Sequence, residues 1–298
     1  MYELMPDGKF VIDNYNWKTP FSNFFPGIAG KFGIPMWVYY VNRGQGLCSL
    51  GVGDKNHQIM EFLSFNKALE VVGLQGFRTF VKVSGEVHEP FKKTADAAIQ
   101  QQMIVSAAEL ELTETWAAGG LNFKVLYYPV PNASFPALVR RLEITNTGTA
   151  RQDLELLDGL PRILPHGIDQ HCVQVIPRHI EGMMHVAEVD GAPVFRLKQT
   201  AADSEKVGKI QGGNFYLPRA SNAGGFKVGC FVDPFPVFEE QCIYDYPWGF
   251  AKRSVEELLE APQVGQNRTP CALGAAALSL DPGESASLTS AVGFAPTD

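Results

Sequence analysis

The sequence predicts an all-β protein, a large antiparallel β-sandwich with few short helices. Three observations point there. Glycine (29 residues) and proline (20 residues) make up about 16% of the 298 residues, against an average near 12%, and a chain punctuated that often favours short strands. Runs of β-branched and aromatic residues recur between those punctuation marks. Helical periodicity is rare. No repeat, low-complexity tract or linker divides the chain, so residues 1–298 read as a single domain.

The elements follow in order. Residues 10–15 and 36–41 are β-branched and aromatic runs bounded by Gly, Pro or Asn. Residues 77–83 have the same composition. Residues 109–116 alternate most cleanly, with Leu110 and Leu112 on one face and Glu109, Glu111 and Thr113 on the other, as a half-buried strand does. Gly119 and Gly120 then predict a hairpin turn into a strand over 122–128. Residues 138–145 and 151–157 alternate in the same way across Asn146 and Gly148, and predict a second hairpin. Later strands are expected at 226–232, 272–280 and 285–292, with a tight turn at 281–284 between the last two. One helix is expected, at 254–260, where Ser254 and Glu257 form a capping-box pattern that ends at Pro262.

Apolar residues are 45% of the chain, and 25 Lys+Arg against 32 Asp+Glu leave a net charge of −7. That composition excludes disorder. Without a basic cluster it also argues against nucleic acid or an anionic membrane as partner. The N-terminus has no basic segment followed by an apolar one, and no stretch approaches the ~20 apolar residues of a membrane span. A cytoplasmic location is therefore expected. The five cysteines (Cys48, Cys172, Cys230, Cys242 and Cys271) show no C-x-x-C spacing and read as reduced thiols packed as small hydrophobes. On the same logic Asn132 and Asn267 are chance sequons. No metal or cofactor is expected.

Nucleotide loops, nucleophile elbows and zinc signatures are absent. The informative stretch runs from Asp158 to His171, with Gln174, Arg178 and His179 just beyond. Carboxylates, planar amides and guanidinium forks suit sugar hydroxyls, which both donate and accept hydrogen bonds; a solvated crossover loop between sheets is the other reading. The aromatic-rich stretch 233–249 either stacks on sugar faces or plugs the edge of the sandwich. His166, His171, His179 and His185 match no metal spacing. Glu61 and Glu239 are isolated carboxylates, each able to be half of an acid/base pair.

The runs GIPMWVYYVNRGQ (33–45), GDKN (53–56) and IMEF (59–62) resemble the start of bacterial proteins of the cellobiose phosphorylase type, in the branch that includes β-glucan phosphorylases. GFRTF (76–80), DGLP (158–161), Arg178 with EGMM (181–184), NFYL (214–217), PCAL (270–273) and LDPGE (280–284) resemble further landmarks of that family, in order along nearly the whole chain. The resemblance implies a β-supersandwich similar to galactose mutarotase, placed ahead of a helical linker and an (α/α) toroid. It implies that the general acid and the main phosphate site lie in that toroid, beyond this chain, which ends where the family's sandwich ends. No catalytic residue is therefore expected here.

The activity implied is phosphorolysis of a β-linked glucoside or oligosaccharide, with inorganic phosphate as co-substrate. This domain would contribute to the acceptor-sugar side and to a homodimer. The matching segment is 174–181, with Arg178 where the family has a sugar-contacting arginine, although Pro177 stands where better-known members carry a polar amide. The expected substrate-binding residues are Arg178, Gln174, His166, Gln170 and Asp158. Two alternatives remain: a stand-alone aldose 1-epimerase pairing His166 or His171 with Glu239, and a lectin-like sugar-binding module.

Overall fold

The computed structural model describes residues 2–25, 36–201, 208–220, 226–239 and 244–297. Gly33 to Pro35, Glu240 and Cys242 lie outside the described residues. The strands β1 (Tyr2–Leu4) and β2 (Phe10–Asp13) open a large sheet. The chain then builds a separate sheet from β3 (Ser22–Phe25), β4 (Met36–Val41), β5 (Leu47–Val52) and β6 (Gln58–Met60). It lays helix α1 (Phe65–Gln75) across that sheet's outer face, where Ala68, Val71 and Val72 pack on Tyr39, Val41 and Cys48. β7 (Arg78–Val83) and β8 (Glu86–His88) start a third sheet.

The large sheet resumes with β9 (Ile99–Val105), β10 (Leu110–Trp116), β11 (Leu121–Pro129) and β12 (Ala137–Asn146). β13 (Gln152–Leu160) returns to the third sheet. The short helices α2 (Gln170–Val175) and α3 (Pro177–Glu181) lead to β14 (Met184–Val189), β15 (Ala192–Leu197) and β16 (Gly213–Ala220). β17 (Gly229–Phe231), helices α4 (Phe235–Phe238), α5 (Trp248–Lys252) and α6 (Val255–Glu260), and β18 (Ala272–Leu280) complete the third sheet and its cover. β19 (Ser285–Ala295) inserts into the middle of the first.

The result is the expected class, a large antiparallel β-sandwich. A ten-stranded sheet in the order β1-β2-β9-β10-β11-β12-β19-β16-β15-β14 faces a five-stranded sheet, β17-β18-β13-β7-β8, and a four-stranded one, β3-β4-β5-β6. One core joins all three: Leu112, Val125, Leu142 and Leu288 of the large sheet share it with Val38 and Leu50 of the four-stranded sheet and Val81 and Leu156 of the five-stranded one. The second layer is thus made of two sheets under one long sheet.

The β10–β11 pairing matches the hairpin expected at Gly119 and Gly120, with Trp116 opposite Leu121 and Gly120 at φ +62°. The hairpin expected over 138–157 is not formed. β12 pairs with β11 and β19, whereas β13 pairs with β7 and β18. Residues 146–151 are an arch between layers, and the turn at 281–284 is a second arch beside it. Asn146 binds the two together, its amide donating to Leu280 O at 2.9 Å and its own N–H donating to Glu284 O at 2.9 Å. Alternation tells which face of a strand is buried; a hairpin and an arch bury the same face.

The helix expected at 254–260 forms as α6, with its capping box complete: Glu257 N–H donates to Ser254 Oγ at 3.1 Å and Ser254 N–H to Glu257 Oε2 at 2.8 Å. The strand expected at 226–232 shortens to β17, and the one at 10–15 ends at Asp13, before a 3-10 turn at Tyr15–Trp17.

Candidate functional site

The segment after β13 crosses the end of the sandwich and is tied to the turn that follows β6. Leu164 N–H donates to Ile59 O at 2.9 Å, and Asn214 Nδ2 bridges Leu164 O at 2.7 Å and Gln58 O at 3.3 Å. This stitching brings Glu61 to Arg162, with Oε2 3.5 Å from Nη1 on a half-buried surface. Gln170, the first residue of α2, donates from Nε2 to Phe62 O at 3.3 Å, and Phe62 N–H donates to Gln58 Oε1 at 2.8 Å.

Three polar atoms of this cluster are buried without a hydrogen-bond partner: Gln58 Nε2, Arg162 Nε and Gln170 Oε1. Buried polar groups are normally satisfied, and each one left open costs about 1–3 kcal/mol. The hollow beside Glu61 and Arg162 measures about 10 Å³, room for no more than one water, so these groups fix the crossover segment and do not line a sugar-sized pocket.

His166 lies on the same crossover segment, two residues after Leu164. Its backbone bridges β15, with His166 N–H donating to Phe195 O at 3.0 Å and Leu197 N–H donating to His166 O at 2.9 Å. Its ring leans on Phe294, with centroids 4.6 Å apart. Burial, and to a lesser degree the charge of His57, lower its pKa below the ordinary 6.5. The unfolded chain therefore takes up this proton first as pH falls. The stability that a neutral His166 contributes is present above 6.5 and is lost as pH drops through 6.5 toward the depressed folded value. The urea midpoint should fall between pH 7.5 and 5.5, and His166→Gln should flatten that slope; an unchanged slope in the variant would assign the dependence elsewhere.

Gln174 and Arg178 lie on the exposed sides of α2 and α3. Those helices are seated by Cys172 and Ile180, which pack with Leu164, Ile168, Met184 and Leu197, and α2 is capped by Asp169, whose Oδ1 accepts Cys172 N–H at 2.7 Å. Asp158 stands apart from the other expected sugar-binding residues. It ends up in the core with no exposed surface, its Oδ1 2.6 Å from Arg140 Nη2 and 2.7 Å from Thr79 Oγ1, and its Oδ2 3.0 Å from Arg140 Nε. The structure thus brings Gln170 to Phe62, next to Glu61, sets His166 against Phe294, and leaves Gln174 and Arg178 exposed on α2 and α3.

Gln58 and Arg162 were not singled out from the sequence. No local pattern marks them, because Glu61 and its partner are 101 positions apart. Glu239 follows α4 and ion-pairs with Lys252 at 2.7 Å, on the cover of the five-stranded sheet. His185 Nδ1 is buried without a partner. Among the described residues, no three His, Cys, Asp or Glu side chains are grouped to hold a metal ion. Cys48, Cys172, Cys230 and Cys271 are free thiols, and burial pushes Cys48 up to about 12.

No protein-family model matches the chain, and no curated protein matches it in sequence. Among solved structures it is similar to a polysaccharide lyase, with 12% identity and a TM-score of 0.41 over 89% of this chain and 33% of that one. It is also similar to a human-microbiome protein named for kojibiose phosphorylase, with 10% identity and a TM-score of 0.37 over 96% of this chain and 26% of that one. A galactose mutarotase related enzyme from Lactobacillus acidophilus gives 8% identity and a TM-score of 0.40, with 93% and 99% covered. The chain therefore spans about a third or less of the first two.

Proposed function

We propose that this chain is a carbohydrate-binding N-terminal domain of a glycoside phosphorylase acting on a β-glucoside such as cellobiose or a β-glucan oligosaccharide. The observation that carries the reading is the pair of short helices α2 and α3, which expose Gln174 and Arg178 and are tied to the end of the sandwich through Gln170 and Phe62 O. The ordered series of family-like motifs supports it. In this reading the proton donor and the phosphate site belong to a helical catalytic domain, and this domain shapes the acceptor-sugar side and takes part in a cytoplasmic homodimer. Arg178 donates to acceptor hydroxyls from an exposed helix, next to the helix that Gln170 anchors to Phe62 O.

One observation bears on the aldose epimerase alternative. His88 Nε2 lies 2.8 Å from Glu114 Oε1 beside a hollow of about 360 Å³ lined by Lys92 and Tyr246. Epimerisation needs an acid and a base reaching opposite faces of a pyranose, whereas these two groups touch each other.

The test is kinetic. In the full gene product, Arg178→Ala should weaken acceptor use about 10-fold or more, the worth of a charged hydrogen bond, while this domain keeps its melting temperature. Unchanged acceptor kinetics would remove Arg178 from the site. Accelerated mutarotation of glucose or galactose by this chain would replace the phosphorylase reading with the epimerase, and sugar binding by a full gene product that performs no phosphorolysis would leave a lectin-like module.

A further inference from the structure

We propose that the outer face of the ten-stranded sheet carries a second carbohydrate site, a cleft around Trp17 that takes a neutral β-gluco-oligosaccharide. The choice of sugar rests on the reading above; the cleft itself is argued from its own geometry. β2, β9 and β10 turn Ile12, Met103 and Leu112 into the core, in register with one another. The two-residue period of a strand then turns Asp13, Gln102 and Thr113 to the opposite face. These three are also in register, and Gln100 and Thr115 form the next row. Neighbouring strands are ~4.8 Å apart, so the rows make a flat polar platform about 10 Å wide.

The walls come from two turns. Asn14, at φ +49°, breaks the strand and starts the 3-10 turn that projects Trp17. The loop after β8 supplies Thr94 and Asp96 to the lining. Trp17 is 57% exposed, yet it is held. Its Nε1 donates to Thr94 O at 2.9 Å, and the Lys93 ammonium sits 4.0 Å from the ring centroid. Lys93 thus lies over one face, and an indole held in place with more than half its surface in water is the informative exception at a protein surface.

The cleft measures about 690 Å³, within the ~300–1,000 Å³ of small-molecule sites. Its lining selects the ligand class. Asp13 accepts Gln102 Nε2 at 2.8 Å, and that bond holds its carboxyl below the usual range, so it is a charged acceptor. Asp96 adds a second carboxylate to the lining, and Lys18 near Asp13 and Lys93 over Trp17 balance the two charges, which suits a neutral ligand. Amides and hydroxyls at Gln100, Gln102, Thr113 and Thr115 donate and accept alike. An indole face with such a platform matches a pyranose, whose C–H face is apolar and whose rim carries hydroxyls. A glucan held here and at the acceptor side would be bound at two points, which raises its effective concentration at each.

The experiment is a calorimetric titration of the 298-residue chain with cellotetraose and with laminaritetraose. The wild type is expected to bind at least one of them in the millimolar range. Trp17→Ala should weaken binding at least about tenfold, ~1.4 kcal/mol, Gln102→Ala several-fold, and Trp17→Phe little. If Trp17→Ala lowers the melting temperature, Gln102→Ala and Trp17→Phe decide. Wild-type affinity in Trp17→Ala or in Gln102→Ala, or no binding of either sugar by the wild type at tens of millimolar, overturns the proposal. Loss of the phosphorylase reading has a different signature: a full gene product without phosphorolysis whose Trp17-dependent binding persists.

Discussion

Asp158→Ala is expected to destabilise the fold by about 3–5 kcal/mol, the loss seen when one partner of a buried ion pair is removed. Asp158 and Arg140 are both fully buried, and they meet through two hydrogen bonds, Nη2 to Oδ1 at 2.6 Å and Nε to Oδ2 at 3.0 Å. Arg140 comes from β12 of the large sheet and Asp158 from β13 of the five-stranded one. Gln45, in the turn between β4 and β5, accepts from Arg140 Nη2 at 2.6 Å, so the four-stranded sheet joins as well. Thr79, Tyr127 and, through the Asp158 carbonyl at 2.8 Å, Tyr216 complete the network.

Burial works against the charge of Arg140, but the Asp158 carboxylate with its hydrogen bond and Tyr127 hold its pKa above the ordinary guanidinium value. Removing Asp158 leaves that cation in the core with only neutral acceptors. Replacing both residues by leucine should be less damaging than either single change, because no stranded charge remains. Urea unfolding of the single and double variants checks this. A loss under about 1 kcal/mol for Asp158→Ala would mean that the three sheets do not depend on the pair.

The role of Asp158 shows where the sequence was legible and where it was not. A carboxylate next to glycine and proline after a strand has the look of a loop ligand. Its arginine partner is 18 residues upstream, on a strand that the alternation pattern joins to β13 as a hairpin. Had 138–157 been a hairpin, the two side chains would be neighbours within one sheet; because it is an arch, they meet across the core. The class of fold was readable because burial patterns and turn residues are local properties. Lateral pairing was not, since it depends on which distant strand fills each edge. The same limit applies to the candidate site: Gln170 and Glu61 could each be named, but their approach depends on bonds between distant segments, Leu164 N–H to Ile59 O and Gln170 Nε2 to Phe62 O. Helix α1 was missed for a related reason. Val71, Val72 and Gly73 are poor helix formers, and the helix is held by packing on the four-stranded sheet.

Phe238→Ala should cost about 3–5 kcal/mol, the range for deleting a buried aromatic ring, and leave oligosaccharide binding as it was. The stretch 233–249 offered two readings, sugar stacking or a plug, and the side chains divide it. Phe238 is fully buried, edge-on to Phe80 of β7 at 6.0 Å and tilted on Tyr244 at 5.1 Å. With Val237, Phe250, Val255 and Leu258 it forms a second core on the outer face of the five-stranded sheet. That sheet has apolar residues on both faces, Leu156 toward the main core and Leu157 toward the helices, so without α4 to α6 it would expose one of them to water. The aromatics are needed there because a sheet buried on both sides requires a cover. Trp248 keeps 43% of its surface exposed and is the residue of this stretch that sugar stacking would use. Chemical denaturation together with the tetraose titration separates the two roles. A Phe238→Ala variant of native stability but impaired sugar binding would make the segment a binding surface instead of a cover.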